Sequence, residues 1–278
     1  MTTRRSRGHL MRLSLLLLCM GVFLQAVRAH DCFLFANPFR IKTGVATKIA
    51  IHIHDQFPGQ HVKWDGARIL RFEHLYGSMR SNVIGTKPVA DSSGVELRVT
   101  TGGVHLVAVD WAPRLIEIKG PDFTKYLKSE GLDQIVDARQ KRGESEKPGR
   151  ERYSRYIKTL VSAGEGSDQA VSTVLGQTIE LVPLENPYKK KKGDSMRFRL
   201  IFRGKLLADA LVAATYDGHS RTAHKYAYSA RTDANGVVSV PLSHTGVWLV
   251  RTVHMLPVQG EKEFDWESWW ASVTFEIK

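Results

Sequence analysis

Residues 49–54 read Ile49-Ala50-Ile51-His52-Ile53-His54, and this alternation decides the fold class. Successive side chains of an extended strand point to opposite faces, so Ile49, Ile51 and Ile53 share one face and His52 and His54 the other. Phe57-Pro58-Gly59 then ends the strand in a turn. Outward from this segment the same texture continues over 31–118. Phe33-Leu34-Phe35 stops at Asn37-Pro38, Ile69 to Tyr76 is a further apolar run, and Val95-Glu96-Leu97-Arg98-Val99 alternates cleanly. Val104 to Val109 follows Gly102-Gly103, and Leu115 to Ile118 closes the block. Short strands at this spacing predict a small β-sandwich over 30–118.

The texture changes over 119–163. Phe123 to Lys128 repeats at helical spacing with Gly131 as its C-cap, and 132–141 forms a second helix with Ile135, Val136 and Ala138 on its apolar side. Residues 139–152 are dense in charge and carry Gly143, Pro148 and Gly149, an exposed loop. Residues 152–161 read as a helix or a strand: Tyr153, Tyr156, Ile157 and Leu160 fit helical spacing, while the β-branched tail weakens that fit. From 164 to 278 the chain reads as β again. Thr178 to Pro183, Met196 to Phe202, Leu211 to Tyr216, Val247 to Met255 and Val273 to Ile277 are strands, and Asp233-Ala234-Asn235-Gly236 is a tight hairpin turn. The expected fold is mainly β: two β-sandwich units, 30–118 and 164–278, joined by a short α-helical insert over 119–163.

Upstream, Arg4, Arg5, Arg7 and Arg12 precede an apolar run from Leu13 to Phe23, too short to span a membrane and suited to a signal peptide. Val27-Arg28-Ala29 is an acceptable cleavage site, so residues 1–29 read as a signal peptide and His30 as the first residue of an exported, periplasmic chain. The formal charge is +12, and the five leader arginines leave the mature chain near +7. No stripe of aromatics and arginines accompanies that charge, which excludes a nucleic-acid reading. Lys189-Lys190-Lys191-Lys192 reads as a solvated turn. Cys32 is the only cysteine after Ala29, so no internal disulfide is expected. No later segment is long and apolar enough for a membrane span. A nucleophile elbow, a Walker loop, HExxH and CxxC are all lacking, and a non-enzymatic protein is expected.

Two resemblances add to this. Leu207-x-Asp209-Ala210-x-Val212, Thr232-Asp233-x-x-Gly236 and Gly246-x-Trp248-Leu249-Val250 together resemble the prealbumin-like sandwich of carboxypeptidase regulatory domains. Over most of 29–278 the chain is similar to the DUF4198 family of exported bacterial proteins, some of which are labelled as NikM-like components of nickel or cobalt uptake. The motifs that carry this are Ala29-His30-Asp31-x-Phe33-Leu34, Phe57-Pro58-Gly59, Tyr126-Leu127-x-x-Glu130-Gly131-Leu132 and Gly149-Arg150-Glu151-Arg152-Tyr153-Ser154-Arg155. Pro183-Leu184-x-Asn186-Pro187, Val253-His254-Met255 and the stretch from Asp265 to Ser272 complete them. Family members commonly carry an aromatic where Cys32 stands. The resemblance implies a periplasmic accessory protein that handles a divalent metal (nickel, cobalt or copper) and passes it to an inner-membrane transporter.

A terminal His30 offers both its α-amine and its imidazole to one ion, and imidazole suits these metals. His254 lies at a strand end within one of the motifs above. His52 and His54 sit at i, i+2 on one strand face, where two imidazoles can converge. Asp31, Asp55 and Glu267 are carboxylates able to ligate or to orient a ligating imidazole. Each has a structural alternative: His52 and His54 as a solvent face, His254 as a core histidine, and Trp266, Trp269 and Trp270 as packing rather than a glycan- or protein-binding surface. A β-sandwich module that binds a protein or glycan without metal is the competing reading.

Overall fold

The computed structural model describes residues 30–278; the signal peptide read over 1–29, with Cys19, lies outside the described residues. In chain order β1 (Asp31–Asn37), β2 (Ala46–His54), β3 (Ile69–Tyr76), β4 (Met79–Asn82), β5 (Val95–Arg98) and the long β6 (Val104–Ile118) come first. Two helices follow, α1 (Gly120–Ser129) and α2 (Asp133–Lys141). Then come β7 (Gly149–Ser162), β8 (Ile179–Pro183), β9 (Ser195–Phe202), β10 (Lys205–Leu206), β11 (Leu211–Tyr216), β12 (Tyr228–Arg231), β13 (Val237–Pro241), β14 (Gly246–Pro257) and β15 (Trp266–Ile277). The chain is mainly β, as its alternating pattern requires.

An eight-stranded sheet forms the middle layer in the order β12-β11-β14-β15-β7-β6-β3-β4. Its neighbours pair antiparallel except β15 and β7, which run parallel with Trp266 opposite Glu151 and Thr274 opposite Thr159. On one face lies a smaller sheet in which β9 pairs β8, β10 and β13. Leu106 and Ala108 of β6, Val250 of β14, and Val273 and Phe275 of β15 pack there against Leu181, Phe198 and Val240. On the other face sits the three-stranded sheet β1-β2-β5. There Leu34, Ile49 and Ile51 meet Val107, Val109 and Ile157. The alternation read at 49–54 thus turns Ile49 and Ile51 into a core, and the middle sheet is apolar on both faces.

The same second face continues under the helices. Phe123, Tyr126 and Leu127 recur at helical spacing on α1 and pack on Trp266, Trp270 and Met255. Gly131 ends α1 with φ +66, as its C-cap reading predicts.

The segment 119–163 differs from its reading as a helical insert. Only 120–129 and 133–141 are helical, while 149–162 is the strand β7 at the centre of the largest sheet. The helical spacing of Tyr153, Tyr156, Ile157 and Leu160 misleads because β7 is buried on both faces. Leu160 enters one core and Ile157 and Val161 the other. With both faces buried, and Lys158 and Thr159 buried between Ile157 and Leu160, the run has no period-two pattern to set it apart from a helix. The sheet therefore runs through the boundaries read at 118 and 163.

Candidate functional site

The start of β1 brings His30 and Asp31 to the helix-bearing face of the middle sheet. Two hydroxyls fasten the strand there: Ser272 Oγ donates to Cys32 O at 2.8 Å and Thr274 Oγ1 to Leu34 O at 2.6 Å. His30 is part-exposed, and Arg155 Nη2 of β7 donates to its carbonyl oxygen at 3.3 Å. Its ring Nδ1 donates to Asp55 Oδ1 at 2.5 Å. A second imidazole reaches the same oxygen, with His224 Nε2 at 3.5 Å. His224 comes from the loop between β11 and β12. It has φ +54, a left-handed conformation uncommon for a non-glycine residue, and its N–H donates to Asp55 O at 3.4 Å. A backbone held in that region by long-range contacts is the kind of strain found at ligand sites. The His224 Nδ1 is buried and has no hydrogen-bond partner among the described residues.

Beneath this trio lies a buried ionic cluster. Arg251 of β14 stands between two carboxylates, with Nε 2.7 Å from Asp31 Oδ1 and Nη1 bonded to Glu130. All three are almost fully buried. Burial disfavours the Arg251 cation, yet the paired carboxylates of Asp31 and Glu130 outweigh it and hold the guanidinium well above its usual range. Glu130 is pushed up by burial, against the pull of Arg251. Tyr226, two residues after His224, donates its hydroxyl to Asp31 Oδ2 at 2.9 Å and lies under the Arg251 guanidinium. The cluster ties β1, α1, β14 and the 217–227 loop together, and so fixes the backbone that carries His30 and His224.

Of the other residues read from sequence, His54 stands opposite Asp31 in the β1–β2 register, next to Asp55, and the rest lie farther off. His52 and His54 do share a face. His52 Nδ1 donates to Pro58 O at 2.8 Å and its ring stacks on Phe35, with centroids 4.9 Å apart. His54 Nδ1 accepts from Gln56 N at 2.9 Å. His254 points to the opposite face of the middle sheet from Arg251, Val253 and Met255. It packs on Phe202 at 4.6 Å and on Trp269 at 6.3 Å, and burial pushes its pKa down to about 4. Glu267 shares that far face and pairs with Arg152 at 2.5 Å. His254 and Glu267 therefore do not join His30. Cys32 is buried, and loss of solvent pushes its thiol up to about 11, so it offers no thiolate at neutral pH. The three tryptophans are core residues, Trp266, Trp269 and Trp270 being 2%, 4% and 7% exposed.

His30, Asp31 and Asp55 were legible before the structure; His224, Tyr226, Arg251 and Glu130 were not singled out as site residues. Among the described residues, as they are placed, no group of three or more His, Cys, Asp or Glu side chains could hold a metal ion. No described helix is long and apolar enough to cross a membrane.

No curated protein matches the chain. Among solved structures it is similar to the D0-D1 domain of intimin at 12% identity, over 89% of this chain and 98% of that one, with a TM-score of 0.20. Three N-terminal domains of the bacteriophage RB49 highly immunogenic outer capsid protein match at 9% identity and TM-score 0.19, over 89% of this chain. The Yersinia pseudotuberculosis adhesin InvE matches at 15% and 0.19, over 88% of this chain. The chain spans 59% of each of these last two. Superpositions of this quality carry no inference about function. The family model is the informative match: it covers residues 27–256, including His30, His224 and His254, and the chain belongs to the DUF4198 family, a domain of unknown function.

Proposed function

We propose that this protein is an exported, periplasmic β-sandwich module that binds a divalent metal ion at its mature N-terminus and presents it to an inner-membrane transporter. The observation that carries this reading is the convergence of His30 Nδ1 and His224 Nε2 on one oxygen of Asp55, at 2.5 and 3.5 Å. Two imidazoles and a carboxylate are a donor set suited to nickel, cobalt or copper. A further donor is needed, and cleavage after Ala29 supplies it as the α-amine of His30. The ring nitrogen that faces Asp55 is Nδ1, the one that closes a small chelate ring with that amine. His30, His224 and Asp55 are thus the proposed ligands, and the Asp31–Arg251–Glu130 cluster holds their backbone in place.

The test compares two purified chains by calorimetric titration with Ni(II), Co(II) and Cu(II). One begins at His30 and the other carries one extra residue before it. The expected result is saturable binding to the first that weakens at least tenfold in the second and in His224→Ala. Asp55→Asn is expected to weaken it at least tenfold, because a carboxylate ligand is replaced by a neutral amide. Equal binding to both chains would move the site to internal histidines. Binding to neither would leave the metal-free module that recognises a protein or glycan.

A further inference from the structure

His30 also lines a cavity of about 140 Å³ on the middle sheet, whose other lining residues the proposed metal site does not use. Its lining is written in the register of two strands. Arg114, Ile116 and Ile118 of β6 stand opposite Tyr153, Glu151 and Gly149 of β7. Alternation puts Arg114 and Ile116 on the same face as Glu151, Tyr153 and Arg155. Trp111 pairs Arg155 and Arg114 pairs Tyr153, so β6 spends one residue more than β7 across this step. That bulge, at Ala112-Pro113, turns Arg114 toward the cavity, and bulges commonly re-aim a side chain in this way.

Three arginines line the cavity: Arg68, Arg114 and Arg155. Ring faces rather than carboxylates hold two of them. Arg68 lies 4.1 Å over Trp111, and Arg155 lies 5.0 Å over Tyr153. Among the described residues none of the three has an ion-pair partner, and Arg155 Nε is buried with no hydrogen-bond acceptor. Burial lowers the Arg68 pKa and the charges of Arg114 and Arg155 lower it further, while Tyr153 and Asp65 oppose them. Ile53, Ile116, Ile118 and Trp270 give the cavity its apolar lining, with Tyr126 and the buried Glu151 beside them.

We propose that this cavity binds a small organic carboxylate, with its anionic head on Arg68, Arg114 and Arg155 and a ring-sized apolar body against Ile53, Ile116 and Trp270. Arginine is suited to a planar carboxylate through paired N–H donors. An apolar cavity of roughly 150 Å³ accepts a benzene ring, which sets the size of the body. The site stands on its own geometry and does not require a metal at His30.

The test uses the chain that begins at His30, without metal, and reads tryptophan fluorescence and calorimetry. The probes are benzoate, benzyl alcohol as a neutral analogue of similar size, and acetate as an anion without the apolar body. Benzoate is expected to saturate at least tenfold more tightly than either control. Arg114→Gln, at an exposed position, is expected to weaken benzoate at least tenfold, and Ile116→Trp to abolish it by filling the cavity. Equal affinity for benzoate and benzyl alcohol, unchanged benzoate affinity in Arg114→Gln, or failure of benzoate to saturate would each overturn the proposal. Should Ile116→Trp fail to fold, Arg114→Gln decides.

Discussion

At Glu151 two hydroxyls donate to the same carboxylate oxygen, Tyr126 at 3.2 Å and Ser268 more closely. Both favour the charged form, and the nearby Arg68, Arg114 and Arg155 share its cavity. Burial is nevertheless the largest effect, reinforced by the negative charge of Glu130, and the pKa is pushed up to about 7. The folded-state pKa lies above the ordinary value of 4.5, so the native protein keeps a proton that the unfolded chain releases. The sign follows: this group does not penalise folding below pH 4.5, and stability falls as pH rises from there through about 7. At 1.36 kcal/mol per pH unit the full loss is about 3 kcal/mol. Glu151→Gln keeps the acceptor and removes the charge. The difference in melting free energy between variant and parent is therefore expected to grow by about 3 kcal/mol between pH 4.5 and 8. A difference that stays flat over that range would show that Glu151 titrates as an ordinary exposed carboxyl.

On β14 neighbouring residues go to different layers, which separates two histidine roles. Arg251 and Val253 face the helices, while His254 lies between Phe202 and Trp269 on the far face. Its role there is packing, as a neutral ring. His254→Ala is expected to lower stability by about 1–2 kcal/mol, the value of two aromatic contacts, and His254→Phe to restore most of it. Neither variant is expected to change metal affinity; a His254→Phe chain that folded but lost Ni(II) binding would return His254 to the ligand set. The element scale also explains what could be read in advance. β2, β5 and β9 each turn one side to a core and the other outward, so their alternation survives in the sequence. β7 is buried on both sides at its C-terminal half, and Ile157 to Val161 show no alternation to read. Had Glu151-x-Tyr153-x-Arg155 been taken as a strand, its period of two would have placed the three side chains on one cavity wall. His224 left no local sign at all. Its place over Asp55 depends on a left-handed backbone and on a contact between segments far apart in the chain.

The molecule as a whole is organised by the parallel pair β15–β7, because it joins the strands before residue 163 to those after it in one sheet. A second bond crosses the same line. Lys158 Nζ on β7 lies 2.5 Å from Glu180 Oε1 on β8, with side chains 2% and 0% exposed. Burial lowers the Lys158 pKa and Glu180 opposes it, the balance expected of an ion pair inside a core. Residues 164–278 without β7 would leave Glu180 without its cation and the inner face of β8 without its cover. The same cut bares an edge of β15 and removes Phe123 and Leu127 from over Trp266 and Trp270. A domain's whole margin of stability is about 5–15 kcal/mol, so losses of this kind take up much of what the fragment has. The 164–278 chain is therefore expected not to fold when produced alone, with no cooperative thermal transition by circular dichroism and poor amide dispersion by NMR. Co-production with 30–163 is expected to restore both signals. A cooperative melt from 164–278 by itself would mean that the C-terminal sandwich is a self-sufficient unit, and that the long sheet is an interface between two domains rather than the core of one.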